Sequence, residues 1–281
     1  MKDIQDISTG LALGDDGIWY SASSENISYP SEGNGACFEV EDNSFWFKHR
    51  NNCIVSAVNT FPPKNPESRG TIFDIGGGNG FVSLGLSQAG YDVVLVEPGL
   101  TGSLNAKHRG LKNVICATTE TAEFKPHSLP AVGLFDVVEH IEDDLAFLKS
   151  IYDLVEIGGY LYVTVPAYSL LWSNEDISAG HFRRYTLKGI TEVIEKSGFK
   201  VEFSSYIFRF LPFPTFLLRS LPYLLGLSKE TDNENISRSH ATKSPIASRC
   251  LDLILKPEIK NLTNKKPMMF GGSCLIVAKH C

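Results

Sequence analysis

The sequence has no CxxC pair and no tight Cys/His cluster; its six cysteines (Cys37, Cys53, Cys116, Cys250, Cys274, Cys281) are scattered. Zinc ligands usually come in close pairs, so no metal site is expected. Scattered cysteines fit a reducing, cytoplasmic setting, where they act as small apolar residues. The N-terminus MKDIQDISTG lacks a basic start followed by an apolar run, so no secretory signal is expected. Basic charge is also short, with 26 Lys and Arg against 32 Asp and Glu, a net charge of −6. Without a basic field, nucleic acid is not an expected partner. Apolar content is not short. At 43% hydrophobic and 21% charged over 281 residues, the chain can bury a core, which excludes wholesale disorder. The length suits one large α/β domain or two smaller ones.

Residues 1–40, rich in Gly, Ser, Asp and Asn, read as irregular, with Trp19, Tyr20 and Phe38 able to pin them to a core. From Asn43 the apolar residues of SFWFKHRNNCIVSAVNTF fall at helical spacing. Asp42, Asn43 or Ser44 can cap that helix, and Pro62-Pro63 stops it. A polar linker, KNPESRG, follows.

Strands and helices then alternate. TIFDI, YDVVLVE, KNVICAT, LPAVGLFD and GGYLYVTVP read as strands, with FVSLGLSQAG, LTGSLNAKHRG and EDDLAFLKSIYDLVEI as helices between them. Continuous apolar runs such as VVLV and YLYVTV belong to strands covered on both faces, as in a parallel sheet. The fold class expected is α/β, a doubly wound, mostly parallel Rossmann-like sheet. After Pro166 come the loop AYSLLWSNEDISAGHFRRY, a helix capped by Thr186, and the strand FKVEFSSYIF. Residues 207–227 are apolar but broken by Pro212, Pro214 and Pro222. Residues 229–245 read as a mobile polar loop, followed by a helix near 246–256 and a last strand, FGGSCLIVAK. The expected division is an N-terminal segment with a cap helix over 1–62 and a catalytic domain over 63–281, carrying a helical lid insertion at about 207–262.

The sharpest local signal is Asp74-Ile75-Gly76-Gly77-Gly78-Asn79-Gly80, between a strand and a helix. Glycines let the backbone turn tightly and bring its N–H groups against a ligand. The loop lies at the carboxyl end of the first strand of the alternation, where open α/β sheets bind ligands. A dinucleotide fold needs G-x-G-x-x-G, but counting from Gly76 puts Phe81, and from Gly78 Ser83, at the third glycine. Glu97 ends the next strand, where an acid in such folds accepts from ribose hydroxyls.

DIGGGNG followed by VEPG resembles the glycine motif and ribose acid of class I S-adenosylmethionine-dependent methyltransferases. Leu134-Phe135-Asp136-Val137-Val138-Glu139-His140-Ile141 is similar to that family's D-V-L-E-H segment, and Gly158-Gly159-Tyr160-Leu161 to its P-G-G turn, with Ile157 in place of the proline. This likeness covers about 71–200. A bacterial subgroup adds an F-W-F-x-x-R helix, an H-x-R-R-Y loop and a closing F-G-x-S strand; Phe45–Arg50, His181–Tyr185 and Phe270–Ser273 match them. The resemblance implies a seven-stranded sheet with an antiparallel edge pair, the last strand inserted beside the fifth. It implies S-adenosylmethionine as cofactor, held by Asp74, Gly76, Gly77, Gly78, Asn79, Gly80, Glu97, Phe135, Asp136 and His140. Arg50 falls near the methionine carboxylate, unless the Phe45–Phe47 aromatics are ordinary core packing. The family's acid or amide after the third strand is missing from Cys116-Ala117-Thr118-Thr119-Glu120, which leaves Thr118 or Thr119 to meet the adenine.

Methyl transfer from a sulfonium is an in-line displacement, so a protein must align, exclude water and take a proton from a hydroxyl acceptor. His181 is the candidate base, because a neutral imidazole accepts a proton near pH 7. Arg183 and Arg184, beside Tyr185, suit a carboxylate- or phosphate-bearing acceptor, or else one of them braces the loop on Glu175 or Asp176. The expected acceptor is a small molecule or a glycan- or lipid-linked one. Residues 207–227 either pack as a lid or make peripheral membrane contact; Arg209, Arg219 and three prolines exclude a simple spanning helix. Two rivals stand beside this: an NAD-dependent oxidoreductase or epimerase, weakened by the failed third glycine, and a non-catalytic cofactor-binding subunit, weakened by the intact HFRRY loop.

Overall fold

The computed structural model describes residues 3–22, 38, 40–42, 44–63, 70–227 and 245–281. Residues 229–244 of the polar stretch read as a mobile loop over 229–245, most of the 64–70 linker and part of the first forty residues lie outside them, while Pro245 opens a helix. In chain order the elements begin with α1 (Ile4–Ile7), β1 (Leu11–Leu13), β2 (Trp19–Ser21), α2 (Phe45–Thr60), β3 (Thr71–Ile75), α3 (Phe81–Gln88), β4 (Asp92–Val96), α4 (Leu100–His108), β5 (Asn113–Cys116) and β6 (Leu129–Phe135). They continue with α5 (Asp144–Leu154), β7 (Val155–Pro166), α6 (Asn174–Ala179), α7 (Leu187–Lys196), β8 (Lys200–Ile207), α8 (Pro212–Thr215), a π-turn at Phe216–Ser220, α9 (Leu221–Leu224), α10 (Pro245–Thr263) and β9 (Ser273–Lys279).

The strands form one sheet in the order β1-β2-β5-β4-β3-β6-β7-β9-β8. From β2 to β7 neighbouring strands run parallel, while β9 runs antiparallel to both β7 and β8. Every residue of β3 is buried, as a strand covered on both faces requires. Chain order reverses at β3: β4 and β5 lie to one side of it, β6 and β7 to the other. The crevice at the carboxyl ends of these strands is the ligand position of such sheets.

The sheet has nine strands where seven are expected. The extra two come from the segment read as irregular. Gly14-Asp15-Asp16-Gly17 turns β1 back on β2, with Gly17 at a φ of 75°, and β2 then pairs Trp19 and Tyr20 with Ile115 and Cys116 of β5. Strands of three residues carry too little alternation to read locally, and docking onto β5 is what stabilises them.

Ser44 caps α2 by accepting from the Trp46 amide, and His49, Cys53, Ile54, Ala57 and Val58 form its buried stripe. Glu258 of α10 accepts from the Phe208 and Arg209 amides at 2.8 and 2.7 Å and lies 3.0 Å from His49 Nε2. One buried carboxylate therefore ties α10, α2 and the end of β8. The closing strand needs Gly271 for a different reason: a Cβ there would sit 2.2 Å from the Ile207 carbonyl oxygen. No helix among the described residues is long and apolar enough to cross a membrane.

Candidate active site

The loop after β3 has the geometry its glycines permit. Gly76, Gly78 and Gly80 take φ values of 69°, 54° and 76°, in the left-handed region that favours glycine. At Gly77 the demand is space, since a Cβ would lie 2.9 Å from both the Asp74 carboxylate and Leu95. Glu97, just beyond β4, accepts from the Gly78 amide at 2.9 Å and the Gly99 amide at 2.8 Å, one on each oxygen. Burial raises its pKa and the two amides oppose the rise. Two bonds leave half of the carboxylate's acceptor sites for other donors.

Asp74 lies beneath the loop, 1% exposed. Its Oδ2 accepts from Ser83 Oγ at 2.6 Å, and its Oδ1 has no hydrogen-bond partner among the described residues. Burial pushes its pKa up to about 6, with Ser83 and the Arg50 charge acting against the rise. A carboxyl that holds its proton more tightly when folded contributes stability fully below the unfolded pKa of about 3.9 and loses it as pH climbs through about 6. The unfolding free energy of the wild type minus that of Asp74→Asn should therefore fall by about 3 kcal/mol at most between pH 4 and 7. Chemical denaturation of both proteins across that range measures it, and a pH-independent difference contradicts the assignment.

A cover over the loop was not foreseen. Asn79 accepts from Asn105 Nδ2 at 2.9 Å and donates to Glu41 Oε1 at 3.3 Å. Glu41 and Asp42 both pair with Arg109, at 2.7 and 2.9 Å, and the Arg109 guanidinium lies 4.5 Å from the centre of the Phe38 ring. The acidic pair of FEVED was the only sequence signal, and its partner stands almost seventy positions away.

Across the crevice, Arg50 Nη2 donates to the Phe135 carbonyl at 2.6 Å, and its Nε lies 2.7 Å from Asp136 Oδ2. The guanidinium expected near a methionine carboxylate thus joins α2 to the end of β6. Asp136 takes a φ of 58° and accepts from Thr164 Oγ1 at 2.9 Å. Trp46 stacks on Phe208 with ring centres 5.6 Å apart, and Phe47 meets Phe81 edge-on, so both aromatics pack the core as well as flanking the site. Thr118 exchanges hydrogen bonds with Thr121 in the turn after β5.

Glu139 and His140 follow in a short helical turn, and the His140 ring meets that of His181 edge-on at 4.8 Å between centres. Burial, then the His181 charge, pushes the His140 pKa down to about 4. Burial, joined by Asp136, raises that of Glu139 well above the carboxylate range. His181 Nδ1 lies 2.8 Å from Asp176 Oδ1, which also pairs with Arg184 Nε at 2.7 Å, while the Ser173 amide donates to Oδ2 at 2.9 Å. Asp176 was named in the sequence only as a brace; it also orients the candidate base. Arg183 pairs with Asp144 at 2.8 Å and donates to the Glu142 carbonyl at 2.6 Å. Tyr185 is buried and donates to Asp144 at 2.8 Å. The polar groups expected to meet an anionic acceptor are therefore engaged by the chain's own carboxylates, and the H-x-R-R-Y loop is a braced element.

The sheet order, the glycine cradle and the acid after β4 converge with one comparison. A family model described as a methyltransferase domain matches residues 46–203. The chain belongs to that family. It carries the domain of the class I S-adenosylmethionine-dependent methyltransferase family that its motifs resembled. The ubiquinone biosynthesis O-methyltransferase of Rattus norvegicus mitochondria is 27% identical over 124 residues, 41% of this chain and 36% of that protein. The ubiquinone biosynthesis O-methyltransferase of Aliivibrio fischeri (strain MJ11) is 29% identical over 97 residues, 32% of this chain and 42% of that protein. The chain thus spans 36% and 42% of the length of these curated relatives. Among solved structures, phosphoethanolamine N-methyltransferase 2 of Haemonchus contortus, with phosphomonomethylethanolamine and S-adenosylhomocysteine, shares the fold at a TM-score of 0.53 and 20% identity, covering 90% of this chain and 58% of that one. The Haloferax volcanii methyltransferase in complex with its Trm112 activator does so at 0.54 and 12% identity, covering 89% and 93%. The residues present suit the family's cofactor. Asp74 Oδ1 is buried without a partner among the described residues, and Glu97 keeps acceptor capacity for a diol.

Proposed function

We propose that this chain transfers the methyl group of S-adenosylmethionine to the hydroxyl of an apolar small-molecule or lipid-linked acceptor. Asp74, the 76–80 loop and Glu97 would hold the cofactor, with Asn79 as the link to the Glu41 cover. When bound, the cofactor supplies a methyl already activated by its sulfonium charge. The protein's task is then to align the acceptor, exclude water and handle one proton.

The observation that carries this reading is the His181–Asp176 pair set in an apolar rim. With Nδ1 held by the Asp176 carboxylate, Nε2 is left as the accepting nitrogen, the arrangement that assists loss of a hydroxyl proton. Around it Leu170, Ile177 and Phe182 are exposed, and beside it Phe213 and Leu218 of the α8 region are 71% and 76% exposed. Arg219 of the π-turn reaches Glu175 at 3.4 Å, which ties that apolar segment to the loop carrying His181. A lid closed over a pocket would bury such side chains; a surface that receives a lipid would present them. Residues 207–227 thus favour peripheral membrane contact over a closed lid. The names of the curated relatives, O-methyltransferases of ubiquinone biosynthesis, agree in kind with a hydroxyl acceptor.

Labelled methyl donor incubated with the protein and a whole-cell extract, then partitioned between organic solvent and water, tests the acceptor class. Label in the organic phase is expected, and its loss on Phe213→Glu with Leu218→Glu. With unreacted donor removed from the aqueous phase, labelled product confined to water removes the lipid acceptor. No labelled product in either phase removes the proposed transfer itself.

A further inference from the structure

Away from the active site, α2 and α10 bring together a second cluster of chemistry-bearing side chains. His49 and Cys53 stand one helical turn apart on α2, and Glu258 of α10 meets them from 209 positions along the chain. His49 and Glu258 are 4% and 3% exposed, and Cys53 is fully buried. One donor atom from each lies within 4.8 Å of the other two. An imidazole, a thiolate and a carboxylate are all ligands that zinc accepts. Cysteine spacing alone does not reveal the trio, because a single cysteine takes part.

Two distances set this trio apart from an ordinary buried pair. His49 Nε2 lies 3.0 Å from Glu258 Oε2 and 3.4 Å from Cys53 Sγ. One nitrogen cannot serve both neighbours with a single proton. If Nε2–H donates to the carboxylate, the thiol gains no acceptor there; if bare Nε2 accepts from the thiol, its lone pair faces the carboxylate. A cation in place of that proton satisfies all three atoms at once. Bonds of about 2.0–2.3 Å around a tetrahedral zinc space its ligand atoms about 3.3–3.6 Å apart, close to the spacing already present. Glu258 keeps capacity for such a bond. The Phe208 and Arg209 amides take one acceptor site on each oxygen, at 2.8 Å on Oε2 and 2.7 Å on Oε1, and hold the carboxylate as outer partners hold metal ligands.

We infer that His49, Cys53 and Glu258 bind one divalent cation of the zinc class, with a water in the fourth position. Burial, then the Glu258 charge, pushes the Cys53 thiol well up, so without a cation it stays protonated. On binding, the S–H gives its proton to solvent and the sulfur takes the metal bond. Zn²⁺ with one thiolate, one carboxylate and a neutral imidazole carries no net charge, which suits an interior walled by the stacked Trp46 and Phe208 rings. The bonds would join α2, whose next residue Arg50 reaches the Phe135 carbonyl, to α10 and to the Phe208-Arg209 root of the apolar segment. The cation's role is therefore structural: it fixes α2 against α10 and anchors the base of residues 207–227. It is separate from the cofactor cradle and does not rest on the methyl-transfer reading.

The full chain, stripped by chelator and kept reduced, is titrated with Co²⁺ and followed by absorption. A thiolate-to-cobalt charge-transfer band is expected, and Cys53→Ser, which keeps the packing, should abolish it. Glu258→Gln should weaken the affinity read from that band by about tenfold or more. Thermal unfolding supplies a second reading: Zn²⁺ should raise the melting temperature of the wild type over that in chelator, and the gain should shrink in Cys53→Ser. No thiolate band in the wild type overturns the site, as does a band that survives in Cys53→Ser and so belongs to another of the six cysteines. No zinc gain, or one of equal size in both proteins, overturns it too, and an unchanged affinity in Glu258→Gln breaks the trio. If Glu258→Gln does not fold, Cys53→Ser and the wild-type spectrum still decide.

Discussion

Glu97→Gln should lower the affinity for S-adenosylhomocysteine by about a hundredfold or more. A carboxylate in this position has two demands on it. Its oxygens already accept from the Gly78 and Gly99 amides at 2.9 and 2.8 Å, which fixes the loop, and in the proposed cofactor site its spare lone pairs would take the diol of the nucleoside. Charge-assisted hydrogen bonds contribute about 1.5–3 kcal/mol each, and every 1.4 kcal/mol is roughly tenfold in affinity. The amide replaces one acceptor with an NH2 group that meets a backbone N–H donor, so both functions suffer together. Glu97→Asp keeps the charge but loses a methylene of reach, and its affinity should fall between the two. Calorimetry gives the affinities, and thermal unfolding of the unliganded variants separates cradle collapse from diol loss. An affinity within threefold of wild type in Glu97→Gln would remove this acid from the cofactor site.

What could be read in advance followed from locality. Asp74, the three alternating glycines and Glu97 lie on elements whose periodicity names them, and the apolar runs of β3, β4 and β7 announce a covered parallel sheet. The antiparallel β9 was expected from family likeness, because nothing in SCLIVAK states a direction. Pairings that close long loops were not legible. Glu41 meets Arg109, Arg50 meets Asp136, and β2 finds β5 only once the fold has brought them together. Of the two arginines of the HFRRY loop, the brace of Arg184 on Asp176 was one of the readings the sequence offered, whereas Arg183 looked free because Asp144 lies some forty positions upstream. Glu139 drew notice only as part of the segment similar to D-V-L-E-H; its want of a hydrogen-bond partner among the described residues is a property of burial.

His181→Ala should cut turnover by about a hundredfold or more while leaving S-adenosylhomocysteine affinity within twofold. The cofactor contacts proposed here run through Asp74, Glu97 and the glycine loop, and His181 lies on the separate loop after β7. Positioned proton handling contributes about 10²–10⁴ in rate, and the imidazole's Nε2 is the group placed for it by the 2.8 Å contact with Asp176. Asp176→Asn is a weaker test of the same point, because Asp176 also carries Arg184 and the Ser173 amide and its loss loosens the whole loop. Added imidazole separates a chemical role from a structural one. A cavity left by His181→Ala can admit free imidazole, restoring part of the rate in proportion to its concentration, whereas a misfolded loop gains nothing from it. Initial rates against imidazole concentration, with any acceptor the wild type turns over, decide. A wild-type rate in His181→Ala would take this residue out of the reaction and leave the apolar rim as the sole guide to where the acceptor sits.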